Sequence, residues 1–248
     1  MPDIEVRRDG VGRRSLVRKC LGVAVLAMAA WGAWSALAIS GERAVRIPAA
    51  AVEEPPPQGT SSETIVLAGG CFWGVQAVYQ HVTGVTRAIS GYAGGTKATA
   101  LYEIVSSGRT GHAESVEVTF DPRVVSLGTI LQIYFSVAHN PTEVNRQGPD
   151  VGTQYRSAIF TRDDRQARIA SAYIAQLDTA AAFGKRIATK IEALQAFYPA
   201  EAYHQDYATL HPNEPYIAFN DLPKVENLKQ IFPAQYRSTP VLVAAAKQ

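Results

Sequence analysis

The chain of 248 residues has only two cysteines, Cys20 and Cys71. Cys20 belongs to an N-terminal leader, so the folded part holds one thiol and no internal disulfide can staple it. An excess of one charge is missing too. With 24 Lys and Arg against 22 Asp and Glu, the formal net charge is +2, too small for the basic field that captures nucleic acid. No internal repeat is visible, which removes solenoids and propellers. His112, His139 and His204 follow no zinc-ligand spacing, and with a single cysteine beside them no metal is expected. What is present is ordinary: 47% apolar and 19% charged residues, the proportions of a globular protein. A lone thiol in such a chain is either a buried bystander or a reactive group.

Charge is unevenly placed. Residues 1–38 carry six basic residues (Arg7, Arg8, Arg13, Arg14, Arg18, Lys19) against three acidic ones, so the basic character lies in the leader. Residues 21–38, LGVAVLAMAAWGAWSALA, are free of charge. A positive region, an apolar stretch and small residues at Ala36-Leu37-Ala38 are the parts of a secretory signal, with cleavage expected after Ala38. Arg13-Arg14 followed by Ser15-Leu16 resembles a twin-arginine signal. The competing reading is a retained anchor, since 18 apolar residues span a bilayer at about 1.5 Å each. Both place the domain outside the cytoplasm, in the periplasm or anchored at the outer face of the inner membrane. Residues 39–62, with Pro55-Pro56-Pro57, read as a linker. The folded domain is expected over 63–234, with a tail over 235–248.

Thr64–Ala68 is a short β-branched run ending at Gly69-Gly70, which predicts a buried strand. Phe72, Val75, Val78, Tyr79 and Val82 then recur at helical spacing, which puts Cys71 at the start of a helix. A strand is predicted over Val85–Ala93, a short helix at Tyr102–Ser106, a half-exposed strand over Ser115–Phe120 and an amphipathic helix over Leu127–Ala138. After a loop, His139–Gly152, come a strand Gln154–Phe160, a helix Arg165–Phe183, a strand Ile187–Ile191, and helices at Ala200–Leu210 and Leu222–Ile231. Alternating strands and helices indicate one α/β or α+β domain on a mixed sheet.

Gly69-Gly70-Cys71-Phe72-Trp73-Gly74 is the most informative segment. Unpaired N–H groups and the dipole at a helix N-terminus favour an anion, so the Cys71 pKa is expected below its free value of about 8.5. Phe72 and Trp73 beside a reactive sulfur suit a small apolar group such as a methyl. Read alone, the segment equally fits an inert cysteine packed among aromatics.

GGCFWGVQAVYQ, followed by SGYAGG (90–95), LYEIVSSGRTGHAESVEV (101–118), NRQGPDVGTQYRSAIF (145–160), AEAYHQDY (200–207) and PYIAFNDLPKV (215–225), resembles the peptide-methionine (S)-S-oxide reductases, the MsrA family. The resemblance runs from about residue 64 to 232. It implies reduction of the S epimer of methionine sulfoxide, free or in oxidised proteins and peptides, through a sulfenic acid on Cys71. It further implies that Phe72 and Trp73 receive the methyl group and that Glu114 protonates the sulfoxide oxygen. Tyr102 and Tyr155 would donate hydrogen bonds to that oxygen, Asp150 would hold the polar network, and His204 would line the substrate pocket. For Glu114 to be an acid near neutral pH, its pKa must rise above about 4.3, which burial beside aromatic walls does. No cofactor is implied beyond an external thiol reductant such as a thioredoxin-like protein. The expected fold is a single α+β domain, a two-layer α/β sandwich with a mixed sheet of ferredoxin-like type, and a monomer. The C-terminal resolving cysteines of many family members have no counterpart over 213–248. His139-Asn140-Pro141 also departs from the Asp that many relatives carry before the proline.

Two other functions are separable by their demands. A cysteine hydrolase would form a thioester on Cys71 and make His204 or His112 indispensable. A binding module for oxidised methionine would leave Cys71 unmodified.

Overall fold

A computed structural model of the protein describes residues 43–243. The leader 1–38, with its proposed signal or anchor and Cys20, lies outside the described residues. So do 39–42 of the expected linker.

The structure is a mixed α/β domain on one curled six-stranded sheet, flanked by helices. Its strands are β1 (Glu63–Ala68), β2 (Val85–Ala93), β3 (Ala113–Phe120), β6 (Ala158–Thr161), β7 (Lys190–Ala193) and β8 (Phe197–Pro199). They lie in the order β7-β6-β1-β3-β2-β8. Only β6 and β7 run parallel; the other pairs are antiparallel. A separate two-residue hairpin is formed by β4 (Arg146–Gln147) and β5 (Asp150–Val151).

Strand alternation decides what each face buries. Ile65 and Leu67 of β1 join Val116, Val118 and Phe120 of β3 in the main core. They pack there against α1 (Phe72–Gln80), α3 (Leu127–Ile133), α4 (Asp164–Thr179) and α6 (Leu222–Ile231). Val66 and Ala68 point the other way, onto a smaller cluster with Phe160, Leu194 and Phe197. Burial on both faces is why β1 reads as a continuous apolar run.

Several predicted elements differ from those observed. Ser115–Phe120 is not half-exposed, because β3 lies between β1 and β2 and is mostly buried. The predicted strand from Gln154 begins only at Ala158; Thr153–Tyr155 is a 3-10 turn. The predicted helix over 200–210 is interrupted at Asp206, whose φ is +59°, leaving a 3-10 turn and the single turn α5 (Tyr207–Leu210). The helix from Leu127 relaxes into a π-helical turn at Tyr134–Ala138.

Two terminal segments are part of the fold. From residue 43 the expected linker is a strap with no regular structure, laid across α3 and α4. Ile47 is buried in the main core, Val45 N–H donates to Ser136 O at 3.0 Å, and Tyr173 Oη donates to Pro48 O at 2.7 Å. Glu54 accepts from Nε and Nη2 of Arg168. At the other end the expected tail caps α1: Arg237 N–H donates to His81 O and Val241 N–H to Gln80 O. These carbonyls have no helical partner of their own, which is why the chain stays there.

The strap makes a prediction. Ile47→Ala removes a buried side chain at the edge of the core, so it costs about 2 kcal/mol. The thermal midpoint then falls by about 4–8 °C in a domain of this size. An unchanged midpoint in a thermal melt would show that the strap is not part of the cooperative unit.

Candidate active site

The site forms where β1 ends and α1 begins. Gly70 turns the chain with φ +88°, and a Cβ there would come within 2.6 Å of the Gln147 side chain. Gly74 lets the first turn of α1 approach Asp221; a Cβ would lie 2.2 Å from its Oδ1. Cys71 is the N-cap of α1 and offers no side-chain capping bond. The Phe72 N–H therefore has no partner from the cap.

Glu114 supplies one. In β3 it shares a face with Val116, Val118 and Phe120, and β1 pairs with β3 only as far as Leu67 opposite Val116. One step further, β1 has already turned into Gly69-Gly70-Cys71. Glu114 Oε2 accepts the Phe72 N–H at 3.2 Å, and the side chain is buried. Burial pushes its pKa up from 4.5 to about 8; the Phe72 N–H opposes this, and the charges of Asp150 and Asp221 add to it. One donor does not replace the water the carboxylate would lose, so the group is a carboxylic acid at neutral pH.

Cys71 corrects the sequence expectation. It is 8% exposed, and its pKa is raised well above the ordinary thiol value. Burial is the largest cause, followed by the negative charges of Asp221 and Glu114, while the Trp73 N–H pulls the other way. The resting sulfur is a thiol. The helix terminus exists as predicted, but desolvation outweighs it.

The other predicted residues converge on the same place. Tyr102 opens the single turn α2 (Tyr102–Val105), and Tyr155 ends the 3-10 turn before β6. Burial and the Glu114 charge raise the pKa of both phenols, and Cys71 is within electrostatic reach of each. Asp150 in β5 accepts a short hydrogen bond from Tyr216 Oη. Phe72 packs edge-on to His204 at 5.1 Å, and Trp73 stacks on Tyr207 at 4.1 Å with 13° between planes. Tyr102 and Tyr203 close the ring around His204 at 4.4 and 4.2 Å. Both nitrogens of His204 and Nε1 of Trp73 are buried with no hydrogen-bond partner among the described residues. Burial holds the His204 pKa down, so its imidazole is neutral.

Beneath the Cys71 turn, His139 donates from Nδ1 to Tyr134 O at 3.1 Å and takes a hydrogen bond at Nε2 from Ser157 Oγ at 2.7 Å. The neighbouring Asn140 uses Oδ1 only to accept from Thr142. Aspartate would serve there equally, so the departure at 139–141 leaves the floor of the site intact.

Sequence reasoning missed Tyr216, Asp221 and Glu201. All three stand in quoted motifs, but only the folded chain brings them to Cys71 or Tyr102. No local signal marks them beyond the Asp221-Leu222-Pro223 start of α6.

A sequence profile described as peptide methionine sulfoxide reductase matches residues 63–236. The chain belongs to the peptide methionine sulfoxide reductase family. The peptide methionine sulfoxide reductase MsrA 2 of Mesorhizobium japonicum is 63% identical over 185 residues, covering 75% of this chain and 95% of that protein. MsrA 2 of Synechocystis is 50% identical over 186 residues, covering 74% and 87%. Among solved structures, Mxr1 of Saccharomyces cerevisiae in reduced form aligns with TM-score 0.57 and 32% identity, over 66% of this chain and 92% of that one. Methionine sulfoxide reductase A of Corynebacterium diphtheriae aligns with TM-score 0.54 and 33% identity, over 72% and 89%. The family's activity, reduction of the S epimer of methionine sulfoxide with regeneration by thiols, is the activity of this chain.

The buried carboxyl carries a prediction for the pH behaviour of this reductase. Folded Glu114 keeps its proton up to about pH 8, whereas an exposed one ionises near 4.5. Between these values the folded state holds the extra proton, so the stability it brings is complete below 4.5 and is lost as pH rises through 8. The rate is expected to fall as pH rises through about 8. Glu114→Gln is expected to remove that limb and lower kcat by about 10²-fold or more. Its melting temperature relative to the parent should climb between those two pH values. A Gln variant with the parent's pH profile would rule out Glu114 as the acid.

Proposed function

We propose that Cys71 is the nucleophile and Glu114 the proton donor of a one-thiol repair cycle for oxidised proteins, run outside the cytoplasm. The observation that carries this reading is a buried Glu114 that accepts from the N–H of the residue after Cys71 and whose pKa burial pushes up to about 8. The methyl group of the substrate lies against Phe72 and Trp73. The sulfoxide oxygen accepts from Glu114 and from the hydroxyls of Tyr102 and Tyr155, which keep their protons because burial raises their pKa values. Asp150, tied to Tyr216, keeps the polar edge of the pocket in place, and neutral His204 lines it.

The Cys71 sulfur attacks as Glu114 gives its proton to the oxygen, and the thiol proton restores Glu114. The S–O bond of the sulfoxide breaks and a bond from Cys71 Sγ to oxygen forms. The methionine sulfur gains two electrons, the cysteine sulfur loses two, and the products are methionine and a sulfenic acid. Aiming donors at an oxygen that gains charge in the transition state is what lowers the barrier.

Residues 72–248 contain no cysteine, so that stretch supplies no resolving thiol. A first external thiol displaces the sulfenic oxygen as water, forming a mixed disulfide. A second thiol then releases Cys71 and leaves as a disulfide. A thioredoxin-like protein or a small thiol supplies both. Exposed Leu101, Val151 and Tyr203, each next to a site residue in the chain, suit an unfolded polypeptide flanking the oxidised methionine. The basic and apolar leader supports export to the periplasm, by a signal cleaved after Ala38 or an anchor retained in the membrane, and the enzyme acts as a monomer. The antiparallel order β6-β1-β3-β2 supports a ferredoxin-like core inside the wider sheet.

Without thiol, one turnover should add one oxygen to the mass of Cys71, and Cys71→Ser should be inactive. A thioester adduct, or turnover by the Ser variant, would sink the mechanism. Intact mass of the protein from its native envelope fraction should begin at Ile39 or include residues 1–38. Recovery of either form from the cytoplasm would overturn the export reading.

A further inference from the structure

We propose that Glu201 is a positioning residue that holds the Tyr102 phenol at the sulfoxide oxygen; this rests on the reading of Tyr102 as a donor. Tyr102 begins α2, a helix of four residues whose N-cap, Leu101, offers no side-chain acceptor. One isolated turn has almost no stability of its own, and its first N–H groups have no helical partner. Glu201, 99 residues further along, provides what is missing: its Oε1 accepts the Tyr102 N–H at 2.9 Å. Its Oε2 accepts from Tyr92 Oη, also at 2.9 Å.

Tyr92 is the fixed end of this link. It is fully buried in β2, directly opposite Glu114 in the ladder with β3, and its ring packs on Phe72 at 5.9 Å. One carboxylate thus ties the Tyr102 turn to the strand pair that carries the acid. Glu201 itself is held firmly. Its neighbour Ala200 donates to Ser90 O at 2.9 Å, and Gln205 clamps the turn to β2 with bonds to Ser90 N and Ser90 O. The turn that follows Glu201 also delivers His204 against the Tyr102 ring. Burial raises the Glu201 pKa, but the hydrogen bonds from the Tyr102 N–H, its own N–H and Tyr92, together with nearby His204, outweigh it, so the group accepts as a carboxylate.

The test is a double-mutant cycle on single-turnover oxidation of Cys71 by a methionine sulfoxide peptide, with KM measured under steady state using dithiothreitol. Tyr102→Phe reads the donor itself and is expected to slow oxidation. Glu201→Ala is expected to lower the rate by about tenfold to a hundredfold, the penalty of a donor displaced by about 1 Å, with little change in KM. Glu201→Gln, whose amide still accepts from Tyr102 and donates to Tyr92, should recover most of that loss. In the Tyr102→Phe background, Glu201→Ala should slow oxidation no further. The proposal fails if Glu201→Ala keeps the parent rate, if its loss multiplies that of Tyr102→Phe, or if Glu201→Gln is as slow as the Ala variant. A Tyr102→Phe enzyme at the parent rate would instead remove the donor role, and the proposal with it. Should Glu201→Ala unfold, Tyr92→Phe removes one of the two bonds and carries the same cycle.

Discussion

One buried carboxyl governs this site. Glu114 stands where β3 passes beneath the first turn of α1, with one N–H among the described residues, that of Phe72, to meet it. That is too little to offset lost hydration, so the proton stays. Cys71 follows from the same fact. An ionised Glu114 beside a thiolate would place two like charges in a dry pocket already facing Asp221. The resting site avoids this by keeping both protons. In the proposed reaction a sulfoxide breaks the stalemate, because its oxygen can accept from the acid and from both phenols. In that proposal, charge flowing onto the oxygen as the sulfur attacks is met by donors already in place. The thiol loses its proton only while a second group is gaining one.

Such a site costs stability, and the rest of the domain offsets it. The apolar core, a strap over α3 and α4 and a tail on the end of α1 all add burial beyond the site itself. The core that does this contains no methionine: the sequence has two, Met1 and Met28, both ahead of the folded domain. Leu, Ile, Phe and Tyr fill the positions where the flexible thioether is often used. The choice suits the chemistry. Oxidised methionine is polar and would open a packed core, so a domain without it meets sulfoxide only as substrate.

What the sequence disclosed and what it withheld divide along a physical line. Strand β2 over 85–93 and helix α6 over 222–231 coincide with their predicted bounds because periodicity and proline are local. The eight predicted site residues also gather at one place, since their identities were carried by motifs. Strand β8 went unseen: three residues, Phe197–Pro199, have no period, and pairing with β2 alone makes them a strand. The charge on Cys71 was misread for a related reason. A helix terminus is visible in sequence, but the burial that overrides it, and the charge of Asp221, 150 positions away, that adds to it, arise only in the folded chain. Glu201 is the sharpest case. In the sequence it is one acid among 22, and nothing near it in the chain needs a carboxylate. Its use appears only when a helix too short to cap itself comes to lie against the loop after β8. Residues that touch the substrate leave motifs; residues that hold those residues still leave geometry, and only the folded chain displays it.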